Sequence, residues 1–222
     1  MMRTTGRLRA LYPDAVIGAL SMRAVANAGC NPELERAKGE IEKDLRDRFA
    51  AAGKDALKNH PVLAAYREYY KRFGKTYHVA LQLESVIWKG KSIPSVNCLV
   101  EAMFMAELKN MLLTAGHDLD AVAAPLEADA AVGTESFVTM RGDEQLLKEN
   151  DMFIRDGTAI VSNIIYGPDK RTMITERTAN VVYTVYAPPG IGAEAVRSHL
   201  HDIQRYVLLS CPSAATECLE TA

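Results

Sequence analysis

The sequence predicts an α+β fold, a helical half packed on a mostly antiparallel sheet, in a single domain over 1–222 with its core at about 11–209. Three observations predict it. One Val/Ile/Leu/Met-rich stretch opens the chain, and several segments with apolar residues at helical spacing follow it. After about residue 113 the texture changes to short apolar runs between turns, ahead of a closing helical segment. The 222 residues are 48% hydrophobic and 24% charged, an ordinary globular composition. A chain this long buries a core without a metal or disulfide staple. Its longest apolar runs, such as 15–20, fall far short of the roughly 18 residues of a membrane span, so no membrane partner is expected.

Each element has a local reason. Tyr12-Pro13-Asp14 makes a turn, and 15–26 reads as a buried strand. Asn31-Pro32 opens a helix, because Asn caps and Pro suits the first helical position. Leu34, Ala37, Ile41, Leu45 and Phe49 recur at helical spacing to about residue 52, and a charged face with Glu35, Lys38 and Glu42 is expected in solvent. Asn59-His60-Pro61 starts the next helix, with Val62, Tyr66, Tyr69, Tyr70 and Phe73 on one side and Gly74 as its stop. Helices are expected over 79–88 and 96–113. Strands are expected over 126–132, 136–140, 158–166 and 180–186. Pro188-Pro189-Gly190 breaks the chain, and 193–209 is the closing helix, with Val196, Leu200, Ile203 and Val207 on one face.

The formal net charge of −2 argues against a bulk nucleic-acid binder and leaves room for a local basic patch. Cys30, Cys98, Cys211 and Cys218 form no CxxC pair, and the polar, basic first ten residues are not followed by the apolar region of a signal peptide. A cytoplasmic protein with free thiols is the expectation.

The sequence has no GxSxG, HExxH, P-loop or GxGxxG signature, and its five histidines are scattered, so no metal or cofactor is expected. His117-Asp118 is similar to a metal phosphohydrolase dipeptide but lacks the partner residues. The segment 96–113 is the most informative. It is apolar on nearly every side, which marks a buried helix, and Asn97 and Glu101 interrupt it on one side. Either the two line a polar pocket, or they sit near the helix start, where a carboxylate suits the dipole. Glu107 and Asn110 point to the other half. Arg67, Lys71, Arg72, Lys75, Lys89 and Lys91 form a basic stretch interleaved with Tyr69, Tyr70, Tyr77 and Trp88. Such a stretch either tracks a phosphate backbone and stacks bases, or is a solvated face over an aromatic core. The polar turn 167–172 either holds an anionic group or is an exposed loop.

Taken in order, Tyr12-Pro13-Asp14 with its strand, Tyr66-Arg67-Glu68 with Arg72-Phe73-Gly74, residues 92–97, His117-Asp118-Leu119-Asp120, and Arg171-Thr172 through Thr178 and Asn180 resemble the stand-alone B3/B4 domain family. These are free relatives of the B3/B4 module in the beta subunit of bacterial phenylalanyl-tRNA synthetase. The resemblance covers about 11–209. It implies an α+β fold with a pocket between helical and sheet halves, aminoacyl-tRNA as substrate class, and ester hydrolysis of a mischarged tRNA as the reaction. The synthetase has Thr-Asn where this chain has Val100-Glu101, and a glutamate near the turn where this chain offers Asp169.

On that resemblance, His117 orients water, Asn97 positions the ester, and Glu101 or Asp169 recognises a polar group or the substrate ammonium. Arg171 or Thr172 contacts the terminal ribose or phosphate, and the tRNA backbone meets Arg67, Lys71, Arg72, Lys75, Lys89 and Lys91. The alternative is a non-catalytic binding module for tRNA, a free amino acid or a similar small ligand. A His117 that faces away from the pocket favours binding. A third reading is a hydrolase or sensor for an amino-acid-like ligand with no RNA partner.

Overall fold

The computed structural model describes residues 2–27, 29 and 31–222. It opens with β1 (Met2–Thr4), the short helix α1 (Gly6–Leu11) and β2 (Val16–Arg23). Four helices follow, α2 (Pro32–Lys58), α3 (Pro61–Arg72), α4 (His78–Lys89) and α5 (Cys98–Asn110). Then come β3 (Leu113–Asp118), β4 (Leu126–Ala130), β5 (Ser136–Val138), β6 (Glu144–Leu146), β7 (Met152–Arg155), β8 (Ile160–Asn163), β9 (Gly167–Pro168) and β10 (Asn180–Ala187). Helix α6 (Ala193–Ser210) and β11 (Ala215–Thr221) close the chain. One sheet has the order β1-β4-β7-β8-β9, a second β11-β2-β10-β3, and β5 pairs with β6 as a hairpin. Among the described residues only β1 and β4 pair in parallel, so the structure is α+β with mostly antiparallel sheets.

Strands β2 and β10 are buried on both faces, which is why they read as near-continuous apolar runs. Gly18 in β2 lets α6 lie close on this sheet, because a Cβ there would stand 2.5 Å from Val196 Cγ1. Asn31 caps α2 as its sequence implies, its side chain accepting from the Glu33 and Leu34 N–H groups. The helix runs on past residue 52 to Lys58, through a kink at Gly53, whose φ of 76° suits glycine.

The tyrosines of α3 tie the helical half to both sheets. The Tyr66 hydroxyl donates to the Tyr186 carbonyl in β10 and accepts from Leu113 N–H at the start of β3. The Tyr70 hydroxyl donates to the Ile164 carbonyl (2.6 Å), and Tyr69 donates to Asp151 (2.6 Å) while accepting from Met152 N–H. Tyr77 stacks on Tyr66 with centroids 4.1 Å apart and donates to the Met111 carbonyl. Each ring is buried and each hydroxyl is satisfied, as an interior tyrosine requires.

Several boundaries depart from the sequence reading. The segment 96–113 is two elements, not one helix. Asn97 is its extended N-cap, Met111 ends it in the left-handed conformation, and Leu113 already belongs to β3. Apolar periodicity does not separate a buried helix from the buried strand that follows it. The expected strand over 158–166 stops at Asn163, whose Oδ1 accepts from Ile165 and Tyr166 N–H and turns the chain. Strands β7 and β11 are not expected from the sequence, since β7 is four residues with no alternation and β11 is a half-exposed edge. Cys98, Cys211 and Cys218 are free thiols, and Cys30 lies outside the described residues. Among the described residues no helix is long and apolar enough to cross a membrane.

Candidate functional site

The junction of α5 with the outer edge of β3 and the β8–β9 turn leaves a cavity of about 200 Å³. Met103, Phe104, Met173, Ile174 and Tyr186 supply most of its apolar wall, with Met140, Gly167 and Pro168 beside them. Three methionines make that wall adaptable, because an unbranched thioether repacks around different shapes. Gly116 in β3 keeps the space open. A Cβ there would stand 2.7 Å from Ile174 Cδ1 and 3.4 Å from Met103 Sδ.

Three of the polar side chains on the wall are committed to protein groups behind it, and His78 stands beside them with its pKa lowered by burial. Asn163 donates to Asp151 and to the Met152 carbonyl, and its oxygen serves the turn after β8. The Thr114 hydroxyl is bonded to His199 Nε2 (2.7 Å), and the Tyr186 hydroxyl to Ser162 (2.7 Å). Glu107 is the one acid of the wall, and it is only half satisfied. It is 2% exposed, its Oε1 accepts from Thr114 N–H at 2.7 Å, and no second donor reaches the carboxyl among the described residues. Burial pushes its pKa from 4.5 up to about 8 against the opposing pull of the Thr114 N–H, so the acid is mostly protonated at neutral pH. The lining holds no Lys or Arg and no other carboxyl. Wider grooves elsewhere, of about 330 Å³ between α2 and α6 and about 620 Å³ beside Arg155, have acids that are exposed or already paired.

His117, Asp169, Arg171 and Thr172 come together, but behind the cavity wall. His117 is fully buried in β3, its Nδ1 2.8 Å from Thr172 Oγ1. The Thr172 hydroxyl and N–H both donate to Asp169 Oδ1. Since the hydroxyl proton goes to Asp169, the imidazole donates from Nδ1 and leaves Nε2 as an acceptor with no partner. Arg171 donates to Asp156 (2.8 Å) and to the Ala121 carbonyl (2.6 Å). Burial, reinforced by the Arg171 charge, lowers the His117 pKa to about 3, so the ring is neutral. Asp156 sits well below the ordinary carboxylate range: burial opposes ionisation, and three backbone N–H groups and Arg171 outweigh it. Of the expected 167–172 site, only Gly167 and Pro168 touch the cavity.

Asn97 and Glu101 sit at the opposite end of α5. The Asn97 side chain accepts from Val100 N–H at 3.1 Å, an N-cap. Glu101 is 1% exposed, accepts from Val96 N–H at 2.8 Å and pairs with Lys38 at 3.0 Å. Lys38 is therefore not on a solvated face of α2. It is 3% exposed under the segment 93–97, and it also reaches Ser95 and Glu35. Burial works against its ammonium, and the Glu35 and Glu101 carboxylates outweigh that, so its pKa is raised. Glu42, on the same face, is buried and accepts from Ile93 N–H.

The basic residues Arg67, Lys71, Arg72, Lys75, Lys89 and Lys91 are all exposed. Arg72 lies over the Tyr12 ring and Lys75 over Tyr166, at 5.7 and 5.6 Å. The aromatic residues between them are not exposed platforms. Tyr69, Tyr70 and Tyr77 are interior, held by the hydroxyl bonds described above, and Trp88 is half-buried.

The sequence places Glu107 on the other half of α5 and assigns it no role. Its sequence signal, a carboxylate on a helix apolar all round, is the same as that of Glu101. What separates them is the presence of a cation, and Lys38 is brought to Glu101 from another helix.

A family model described as B3/4 domain matches residues 65–208, which include α5, β3 and every residue named on the cavity wall. Among solved structures, an N-terminal fragment of the phenylalanyl-tRNA synthetase beta-subunit from Pyrococcus horikoshii aligns with a TM-score of 0.50 at 12% identity. The alignment covers 100% of this chain and 54% of that one, so the chain spans about half the length of the fragment. At this identity the likeness is one of fold. No match was found among curated proteins.

Proposed function

The chain belongs to the B3/4 domain family, and on that premise we propose that it is a binding module for an aminoacyl group, carried on tRNA, rather than an ester hydrolase. The observation that carries the reading is the separation of the two polar sites. The cavity has the size and apolar wall for an amino-acid side chain, while His117, the residue expected to orient water, lines none of it. A general base must come within hydrogen-bond reach of the water it activates. His117 is neutral, sealed and aimed at Thr172. The fold shared with a synthetase beta-subunit fragment supports a tRNA-linked ligand, and the exposed cations from Arg67 to Lys91 give an RNA backbone a place to land.

The test is to incubate the protein with charged tRNA and follow retention and deacylation together. The expected result is binding with the ester left intact at its uncatalysed rate. Deacylation well above that rate, lost in Glu107→Gln or His117→Ala, would restore the hydrolase reading. Binding of free amino acids with no affinity for any charged tRNA would leave the small-ligand reading.

A further inference from the structure

We propose that Glu107 is the specificity residue of the cavity, and that it selects ligands in which a primary amine is joined to an apolar group and the neighbouring carboxyl is masked as an ester or amide. This rests on the cavity being the ligand site. Three observations lead to it.

The first is geometric. Glu107 sits at the cavity end of α5, is nine-tenths buried and more, and has one oxygen fixed by Thr114 N–H and the other without a donor. That second oxygen has no protein donor and is open to the cavity, so a ligand that brings an N–H group can bond it directly. The second is chemical. Of the other polar side chains of the wall, Thr114, Asn163 and Tyr186 are bonded to protein partners, and His78, whose pKa burial lowers, carries no carboxylate, so Glu107 is the one acid there with capacity to spare. The third is electrostatic. With one carboxyl and no Lys or Arg in the lining, a ligand carboxylate or phosphate would enter unpaired at high desolvation cost. A free amino acid brings such a carboxylate, whereas an aminoacyl ester does not.

Proton linkage follows from these placements. In the empty cavity at pH 6, Glu107, with its pKa of about 8, is protonated, and an α-ammonium is protonated as well. Forming the carboxylate–ammonium pair removes the acid's proton to solvent, with no bond made or broken in the ligand. Binding therefore releases close to one proton, and affinity rises with pH up to the range where the ammonium itself titrates.

The experiment uses the full chain and a panel of methyl esters of apolar amino acids, beside the same amino acids as free acids and as N-acetyl methyl esters. Titration calorimetry at pH 6 in two buffers of different ionisation enthalpy counts the protons. The expected result is binding of at least one ester with about one proton released, and affinity about 10- to 100-fold lower for its free acid and its N-acetyl form. Glu107→Gln is expected to abolish the proton release and to lose a similar factor. The proton count on the wild-type protein needs no variant, so the inference stays testable if Glu107→Gln folds poorly. Ester binding with no proton released, or equal affinity for the N-acetyl form, overturns the role given to Glu107 and leaves the cavity reading standing. Absence of binding by every ester, together with no retention of charged tRNA, overturns the cavity reading itself.

Discussion

The two polar sites that flank β3 use the same kinds of side chain to opposite ends. On one side His117, Thr172, Asp169, Arg171 and Asp156 form a closed chain in which nearly every donor has its acceptor, and only His117 Nε2 is left over. On the other, Glu107 has one bond, one spare oxygen and a cavity in front of it. A catalytic-looking set of residues converges in the first site, yet its members are taken up by each other. Titratable groups become available to a ligand when the fold leaves them short of partners, and proximity alone does not do that.

The largest effect that would break this comparison is on stability. Asp169→Ala strips the acceptor from the buried Thr172 hydroxyl and N–H and removes a counter-charge of the more exposed Arg171. A loss of about 3–5 kcal/mol is expected, as for other buried networks with one partner removed. Chemical denaturation checks it. An Asp169→Ala protein as stable as wild type, but unable to bind its ligand, would move the functional site to the sealed side. Glu101→Gln is expected to cost less, about 1–3 kcal/mol, because Lys38 keeps Glu35 as a second partner. If Glu101→Gln leaves the melting temperature alone and changes ligand selectivity, Glu101 works in a pocket and not as the anchor of α2 on α5.

Glu107→Gln is expected to go the other way. With a folded pKa of about 8 against 4.5 unfolded, the native state holds a proton that the unfolded chain has lost between those values. Stability from this group is whole below pH 4.5 and falls as pH rises to about 8, by at most about 1.4 kcal/mol per pH unit. Glutamine removes that slope, so the variant gains on wild type from pH 5 to 8. His117 and His199 have the opposite sign. Both are held at about 3 by burial, so their stability is present above 6.5 and is lost as pH falls toward 3. Melting curves from pH 4 to 9 for wild type and Glu107→Gln separate the two limbs. A wild-type profile flat from pH 5 to 8 would mean that Glu107 has a partner that keeps it ionised.

The sequence made some of this contrast legible and hid the rest. The Asn31 cap, the Gly74 stop, the apolar face of α6 and the buried character of α5 all follow from local rules about caps and periodicity. The resemblance implied a pocket between the helical and sheet halves, and of the turn 167–172 that the residues themselves suggested only Gly167 and Pro168 line the cavity. Which carboxylate of α5 faces that pocket was not legible. Glu101 and Glu107 look alike on a helical wheel until Lys38 arrives from α2, and that pairing depends on how the segment 93–97 folds over it. The role of the α3 tyrosines was similarly open, since a Tyr beside Lys and Arg suits a base or a core equally well. Hydroxyl partners on Tyr186, Ile164 and Asp151, all far along the chain, decide it for the core.

The smallest expected effect on the fold belongs to the basic stretch, and it is the sharpest test of an RNA partner. Lys71 and Arg72 are exposed at the end of α3, and Arg72 lies 5.7 Å from the centre of the Tyr12 ring. Replacing both by glutamine should change stability by no more than about 0.5 kcal/mol, as is usual for surface positions. It also leaves Glu107 and the cavity wall untouched, so binding of a small aminoacyl ester should be unchanged. Binding of charged tRNA should weaken, and its dependence on salt should flatten. Each phosphate that is no longer neutralised reduces the log–log slope by roughly 0.7 on a single strand and 0.9 on a duplex, so two such phosphates give a change of about 1.4–1.8. With the interior tyrosines closed to stacking, the RNA contribution from this face is electrostatic, and raising salt alone should reproduce the double variant. Charged tRNA that binds the double variant with the wild-type slope would place the RNA on another face. A wild type with no salt-dependent tRNA binding, yet with ester binding through Glu107, would leave the cavity as a site for a free small ligand.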